Sequence, residues 1–280
     1  MSALLEVQDV TVRFGGVVAV DGVSFAVGEG EVLGLIGPNG AGKTTLFEAI
    51  AGFTPCAGTV RFAGADISAL PAFRRSRLGL VRSFQDAALF AGLTVRQCAM
   101  VAQQHALPVR AWAALARTPG ERRAEAERGR RADDLLAAFG LTTYADALIA
   151  ELSTGTRRVC ELVCALSLDP RVLLLDEPSA GLAQREVEQL PGLLDRVREL
   201  TGATVLLVEH DLPLVLGLSS RVLALESGRV IADGPPQQVR DDPEVQRSYL
   251  GGDPTAIQRS GPTSAQRRPR PPRKRTAASR

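Results

Sequence analysis

The segment Gly37-Pro38-Asn39-Gly40-Ala41-Gly42-Lys43-Thr44 runs glycine, four residues, then Gly-Lys-Thr, and it joins an apolar run, Val32 to Ile36, to a stretch of helical character. In that context the spacing is that of a phosphate-binding loop. Glycines let the backbone turn its N–H groups inward around phosphate oxygens, and the start of the next helix adds positive potential. Lys43 supplies a compact charge to the β- and γ-phosphates of a nucleotide, and the hydroxyl of Thr44 suits Mg²⁺. Thr45 carries the loop into the helix. Lys43 and Lys274 are the only lysines in the chain, every other basic residue being arginine, so a lysine at this position is informative.

A second apolar run, Val172 to Leu175, ends in Asp176-Glu177. Two carboxylates at the carboxyl end of a buried strand lie where α/β sheets bind ligands, and they call for a cation or a reaction. Asp176 suits Mg²⁺, held mostly through its waters, and Glu177 suits the orientation and deprotonation of an attacking water. A third run, Val205 to Val208, ends in Glu209-His210-Asp211 and brings an imidazole to the same edge, able to hydrogen-bond a γ-phosphate. Leu152-Ser153-Thr154-Gly155-Thr156 opens a further helix, where Ser153 and Gly155 can offer donors to an anion. One nucleotide does not need two helix N-termini from one domain on its γ-phosphate. The second is therefore expected to serve a nucleotide bound by a partner domain.

These groups require a scaffold of strands and helices. Leu4 to Phe14 and Val17 to Val27 read as strands turning at Gly15-Gly16, and strand alternation returns from Gly58 to Ile67. Lys43 to Ala51 reads as a helix. Thr94 to Ala106 and Glu121 to Phe139 have helical spacing, with Pro108 and Pro119-Gly120 as breaks, and form a helical insert. The runs Val172 to Leu175 and Thr204 to Val208 are parallel-sheet strands separated by a helix over Arg185 to Leu200 that Pro191 kinks or divides. Val222 to Asp233 reads as a hairpin turning at Ser227-Gly228.

The chain has 280 residues, 45% hydrophobic and 23% charged, ordinary for a globular protein with a sizeable core. Residues 251–280 hold eight basic residues against Asp253 alone, a net of +7; with a total of +2, residues 1–250 carry about −5. This Pro- and Arg-rich tail, residues 252–280, reads as disordered, either solvated or touching anionic lipid headgroups. The first thirty residues lack a signal-peptide series, and the apolar stretch Ala203 to Leu218 is cut by Glu209, His210 and Asp211. A cytoplasmic location is expected, with any membrane role supplied by a partner. Cys56, Cys98, Cys160 and Cys164 are too scattered for a disulfide framework, and no structural zinc is expected.

Taken in order, these motifs resemble the ABC transporter nucleotide-binding domain over about residues 3–250. The resemblance implies an α/β fold with a P-loop NTPase (RecA-like) core sheet, an antiparallel β subdomain and a helical subdomain at about 86–160, within a domain spanning 1–251. It implies ATP and Mg²⁺ as cofactors and assigns further roles. Phe14 matches the aromatic that stacks on adenine, Gln85 the residue that senses Mg²⁺ and water, and Ser153 and Gly155 the signature that faces phosphate. Asp176 and Glu177 match the Walker B pair, and His210 the switch histidine. Thr154 and Thr156 depart from the usual signature, and Ala183 stands where the D-loop usually has Asp.

The resemblance also implies head-to-tail pairing with a second ATPase subunit, a heterodimer being favoured over a homodimer, and docking on membrane permease subunits. Arg13-Phe14-Gly15-Gly16, Glu209-His210-Asp211 and Tyr249-Leu250-Gly251 look like branched-chain amino acid importers, which adds an extracytoplasmic binding protein as a partner. Docking is expected at Leu89, Phe90 and Leu93. The alternatives are an exporter subunit, or a soluble ABC ATPase acting on ribosomes or nucleic acid. The latter usually carry paired domains or long coiled coils, neither of which is evident, so no nucleic acid is expected as a partner.

Overall fold

The structure is a computed structural model and describes residues 3–83, 90–103 and 118–250. Two sheets share one buried layer. The first is antiparallel, in the order β2-β1-β4-β5, from β1 (Leu5–Phe14), β2 (Val17–Val27), β4 (Ala57–Phe62) and β5 (Ala65–Asp66). The stretch expected as one strand from Gly58 to Ile67 is two, because Ala63 and Gly64 both take positive φ and reverse the chain.

The second sheet runs β10-β9-β3-β8-β7-β6, from β3 (Val32–Ile36), β6 (Leu80–Arg82), β7 (Val172–Asp176), β8 (Thr204–Val208), β9 (Arg221–Glu226) and β10 (Arg229–Gly234). Its pairs are parallel except β9 with β10, the hairpin. Strands buried on both faces need apolar residues at every position, which is why β3, β7 and β8 are near-continuous Val and Leu runs. Leu174 and Leu206 point to one core and Leu173, Leu175, Val205 and Leu207 to the other.

Helix α1 (Lys43–Ala51) lies in the first core, where Leu46, Phe47 and Ile50 meet Leu5, Val7 and Val10 of the antiparallel sheet. Helix α2 (Ala72–Arg77) places buried Arg75 so that its guanidinium donates to the carbonyls of Ala49 and Ile50, at 2.9 and 2.7 Å, and to those of Leu70 and Ser68. This satisfies carbonyls at the end of α1 that the helix itself leaves open. The second core joins the central sheet to α3 (Val95–Ala102), α4 (Pro119–Ala138), α5 (Thr154–Leu166) and, beyond α6 (Gln184–Val187), α7 (Leu190–Thr201).

Pro119-Gly120 marks the boundary of α4, which starts at Pro119, two residues before the expected Glu121. Pro119 occupies the first turn of α4, where a missing N–H costs nothing, and the Thr118 side chain caps it. Pro191 does divide its segment, starting α7 after the short α6. The four cysteines are free, Cys98 and Cys160 being buried in the second core. A third cluster packs α8 (Leu212–Leu218), α9 (Pro236–Arg240) and α10 (Pro243–Leu250) on the β9 side of the sheet. Among the described residues no helix is long and apolar enough to cross a membrane. The basic tail lies outside the described residues.

Candidate functional site

The site is built at the carboxyl ends of β3, β7 and β8. Leaving β3, the chain takes positive φ at Gly37, Gly40 and Gly42 and then enters α1. Gly42 stands at the N-cap and has no side chain to satisfy the first N–H groups of α1. A helix start of this kind attracts anions. The loop frames a cavity of about 200 Å³ lined by Asn39 to Thr45 and, from across it, Ala19, Glu177 and His210. Lys43 is 5% exposed, and its ammonium donates to the carbonyls of Gly37 at 2.7 Å and Pro38 at 3.0 Å. Burial holds its pKa below that of an ordinary lysine, against the pull of Glu177 and Asp176.

Parallel register explains how the acids and the histidine converge. Asp176 at the end of β7 is level with Val208 at the end of β8, so Glu177 and His210 leave neighbouring strands almost together. Glu177 adopts φ 49, a strained conformation for a residue with a side chain and one concentrated at functional sites. Its Oε1 lies 2.6 Å from Nε2 of His210. Arg158, on α5, donates to the Glu177 carbonyl at 2.9 Å and to that of Pro178 at 3.2 Å.

Asp176 is fully buried. Its Oδ2 accepts from the Arg82 guanidinium at 2.8 Å, while Oδ1 has no hydrogen-bond partner. Burial raises its pKa, outweighing Arg82. An anionic oxygen buried without a partner is costly, so the donor set fits a hard cation that would use it.

Several contributors were not evident in the sequence. Arg82 ends β6 and reaches Asp176 across 94 positions of sequence, also lying over the Phe53 ring. Glu209, 2% exposed, accepts from the Ser179 N–H at 2.6 Å, the Ser179 hydroxyl at 2.8 Å and the His210 N–H at 3.2 Å. It ties the segment after Glu177 to the segment carrying His210. Burial raises its pKa in spite of these donors. The only signal for either was its position at the end of an apolar run.

The other sequence-predicted residues lie apart. Phe14 closes β1, 53% exposed, and is not among the residues lining the loop cavity. Ser153 caps α5, its Oγ accepting from the Thr156 N–H at 3.2 Å. Gly155 borders a different cavity of about 210 Å³, shared with Glu186 and Arg158. A Cβ at Gly155 would fall 1.8 Å from Oε1 of Glu186, so a side chain there requires the Glu186 carboxylate to move aside. Ala183 cannot cap α6 as an Asp would, and the Glu186 carboxylate accepts from its N–H at 2.8 Å. Phe90 is 63% exposed, whereas Leu93 packs against the second core and leaves less apolar surface than its sequence suggests. Gln85 and Leu89 lie outside the described residues.

Comparison with known proteins gives a consistent result. A family model described as ABC transporter matches residues 20–180, and one described as branched-chain amino acid ATP-binding cassette transporter matches residues 229–255. The chain is 41% identical over 249 residues to the high-affinity branched-chain amino acid transport ATP-binding protein BraF of Pseudomonas aeruginosa, covering 89% of this chain and 98% of the relative. It is 39% identical, with the same coverage, to LivG of Escherichia coli, whose name has the same description. The ADP conformation of MJ1267, an ATP-binding cassette of an ABC transporter, superposes with a TM-score of 0.74 at 29% identity, covering 90% of this chain and all of that one.

Proposed function

The chain belongs to the ABC transporter ATP-binding family, and on that premise we propose that it hydrolyses ATP with Mg²⁺ to drive amino-acid import through separate membrane permease subunits. The observation that carries this is the convergence of Lys43, Glu177 and His210 on the cavity of the glycine loop, with the unpartnered Asp176 oxygen buried next to Glu177. N–H groups of residues 40–45 bind the phosphates. Lys43 leaves the Gly37 and Pro38 carbonyls to neutralise the β- and γ-phosphates. Thr44, Asp176 and Gln85 would hold Mg²⁺, which when bound offsets the charge of the phosphates.

Glu177 accepts a proton from the attacking water, and His210, in contact with its Oε1, keeps the carboxylate aimed and hydrogen-bonds the γ-phosphate. Pro38, Asn39 and Ala41 shape the loop between its glycines, and Phe14 offers an exposed ring for adenine. Ser153 and Gly155, set away from this cavity, serve the ATP of a second ATPase subunit, so each site is completed by a partner. Residues 1–251 act as the nucleotide-binding unit, with its helical part at about 86–160, and 252–280 form a basic appendage.

Branched-chain amino acids are the favoured cargo because both BraF and LivG are named for their transport. Selection of the cargo falls to the permease and an extracytoplasmic binding protein, and the chain sits peripherally on the inner face of the membrane. The test is purification of the tagged chain with its partners from native membranes, followed by ATPase assays in vesicles. Co-purifying permease and ATP turnover stimulated by leucine-loaded binding protein are expected. Ribosomal proteins in place of a permease, or a permease that exports, would overturn the proposal.

A further inference from the structure

After β10 the chain comes back to the central sheet. Val239 of α9 and Val245 of α10 are buried with Ile36, Val215 and Val222, and Tyr249 packs against the same cluster. The Tyr249 hydroxyl accepts a hydrogen bond from the Gly37 N–H at 2.7 Å, across 212 positions of sequence. Burial pushes the phenol up to about 12, so it is a neutral hydroxyl at any working pH.

Gly37 is thus held from three directions. Its N–H is spent on Tyr249 rather than on a phosphate, and its carbonyl receives the Lys43 ammonium at 2.7 Å. Its φ is +150 with the carbonyl oxygen of Leu225 only 2.2 Å from where a Cβ would be. The loop enters its turn through this residue. If the tyrosine bond is lost, the Gly37 N–H is left without its partner in a partly buried place, and the loop can relax only by rotating the peptides that set where Lys43 rests.

We propose that Tyr249 is a positioning residue for nucleotide binding, its hydroxyl fixing the entry of the phosphate loop and through it the resting place of Lys43. This rests on reading residues 37–45 as the nucleotide loop. The C-terminal helix α10 is then part of the ATP site, although it contributes no atom to the cavity lining.

The experiment titrates a fluorescent ATP analogue into purified variants and follows each by thermal melting. Tyr249→Phe keeps the ring that fills the cluster and removes only the acceptor; with the bond gone the free loop leaves its binding-competent arrangement, and the smaller competent fraction raises Kd about fivefold to tenfold. Val245→Ala loosens the same helix at a buried position but leaves the hydroxyl, so it lowers Tm with Kd unchanged. A folded Tyr249→Phe with Kd within twofold of the parent, or an equal Kd shift in Val245→Ala, overturns the proposal. Lys43→Ala tests the underlying reading separately: undiminished binding there removes the loop as the nucleotide site, whatever Tyr249 does. Should Tyr249→Phe fail to fold, amide exchange at Gly37 in the unaltered protein decides, protection matching β3 supporting the bond and rapid exchange overturning it.

Discussion

Replacing Gly42 by alanine measures what close packing of the phosphate loop contributes. Gly42 has φ +97, and an added Cβ would fall 2.3 Å from the carbonyl oxygen of Ala19, where ordinary contact begins at about 3.4 Å. That oxygen belongs to the backbone of β2 and cannot swing aside. The first turn of α1 must therefore retreat by about 1 Å, carrying Lys43 and Thr44 with it. A displacement of about 1 Å in positioned groups costs about 10²-fold in rate, roughly 2.7 kcal/mol in the barrier.

Backbone strain adds about 1–2 kcal/mol to the loss of stability. Gly40→Ala is the matched control: its φ is +81, but nothing lies within 4 Å of the new Cβ, so it suffers strain alone. Phosphate-release assays across ATP concentration are expected to show kcat/KM down about 100-fold for Gly42→Ala and less than about tenfold for Gly40→Ala. Melting curves should show both lowered. If Gly42→Ala is as active as Gly40→Ala, the close approach of β2 does not set the geometry of the site.

Arg75→Met removes the donors to four carbonyls around the end of α1 and should lower stability by about 3 kcal/mol or more in urea unfolding; a loss below about 1 kcal/mol would show that water replaces them. Burial lowers the Lys43 pKa, so between that lowered value and the ordinary 10.5 the unfolded chain binds the extra proton and the nucleotide-free protein gains stability as pH rises. That rise should vanish from melting curves of Lys43→Met. Gly155→Ala drives the Glu186 carboxylate away from the Ala183 N–H and should cost about 1 kcal/mol of stability, a modest figure because a flexible side chain yields. An unchanged Tm would place Glu186 elsewhere in solution.

The strand, loop and helix carrying Lys43 were legible to the residue, since an apolar run, three glycines and a helical spacing admit little else. The meeting of Asp176, Glu177 and His210 was legible too, because parallel strands bring their carboxyl ends to one edge. What local pattern could not give were bonds made across the fold. Arg82 with Asp176, Glu209 with Ser179 and Tyr249 with Gly37 each join residues far apart in sequence, and nothing near Arg82 or Tyr249 distinguishes a buried ion pair or a hydroxyl clamp from a solvated side chain. Pro119-Gly120 marked the boundary of α4 but put its start two residues late, because proline ends a helix from inside yet begins one comfortably at its first turn.

In the proposed function Glu177, held against His210 beside the loop of Lys43, is the base that drives ATP hydrolysis. Steady-state phosphate release by the purified protein, measured for the parent and for Glu177→Gln beside nucleotide titrations of both, tests it most directly. The amide is close in size to the carboxylate but does not take up the proton of water, so turnover should fall by about 10² or more while ATP binding is kept. Hydrolysis by Glu177→Gln at the parental rate, with binding intact, would remove Glu177 as the base.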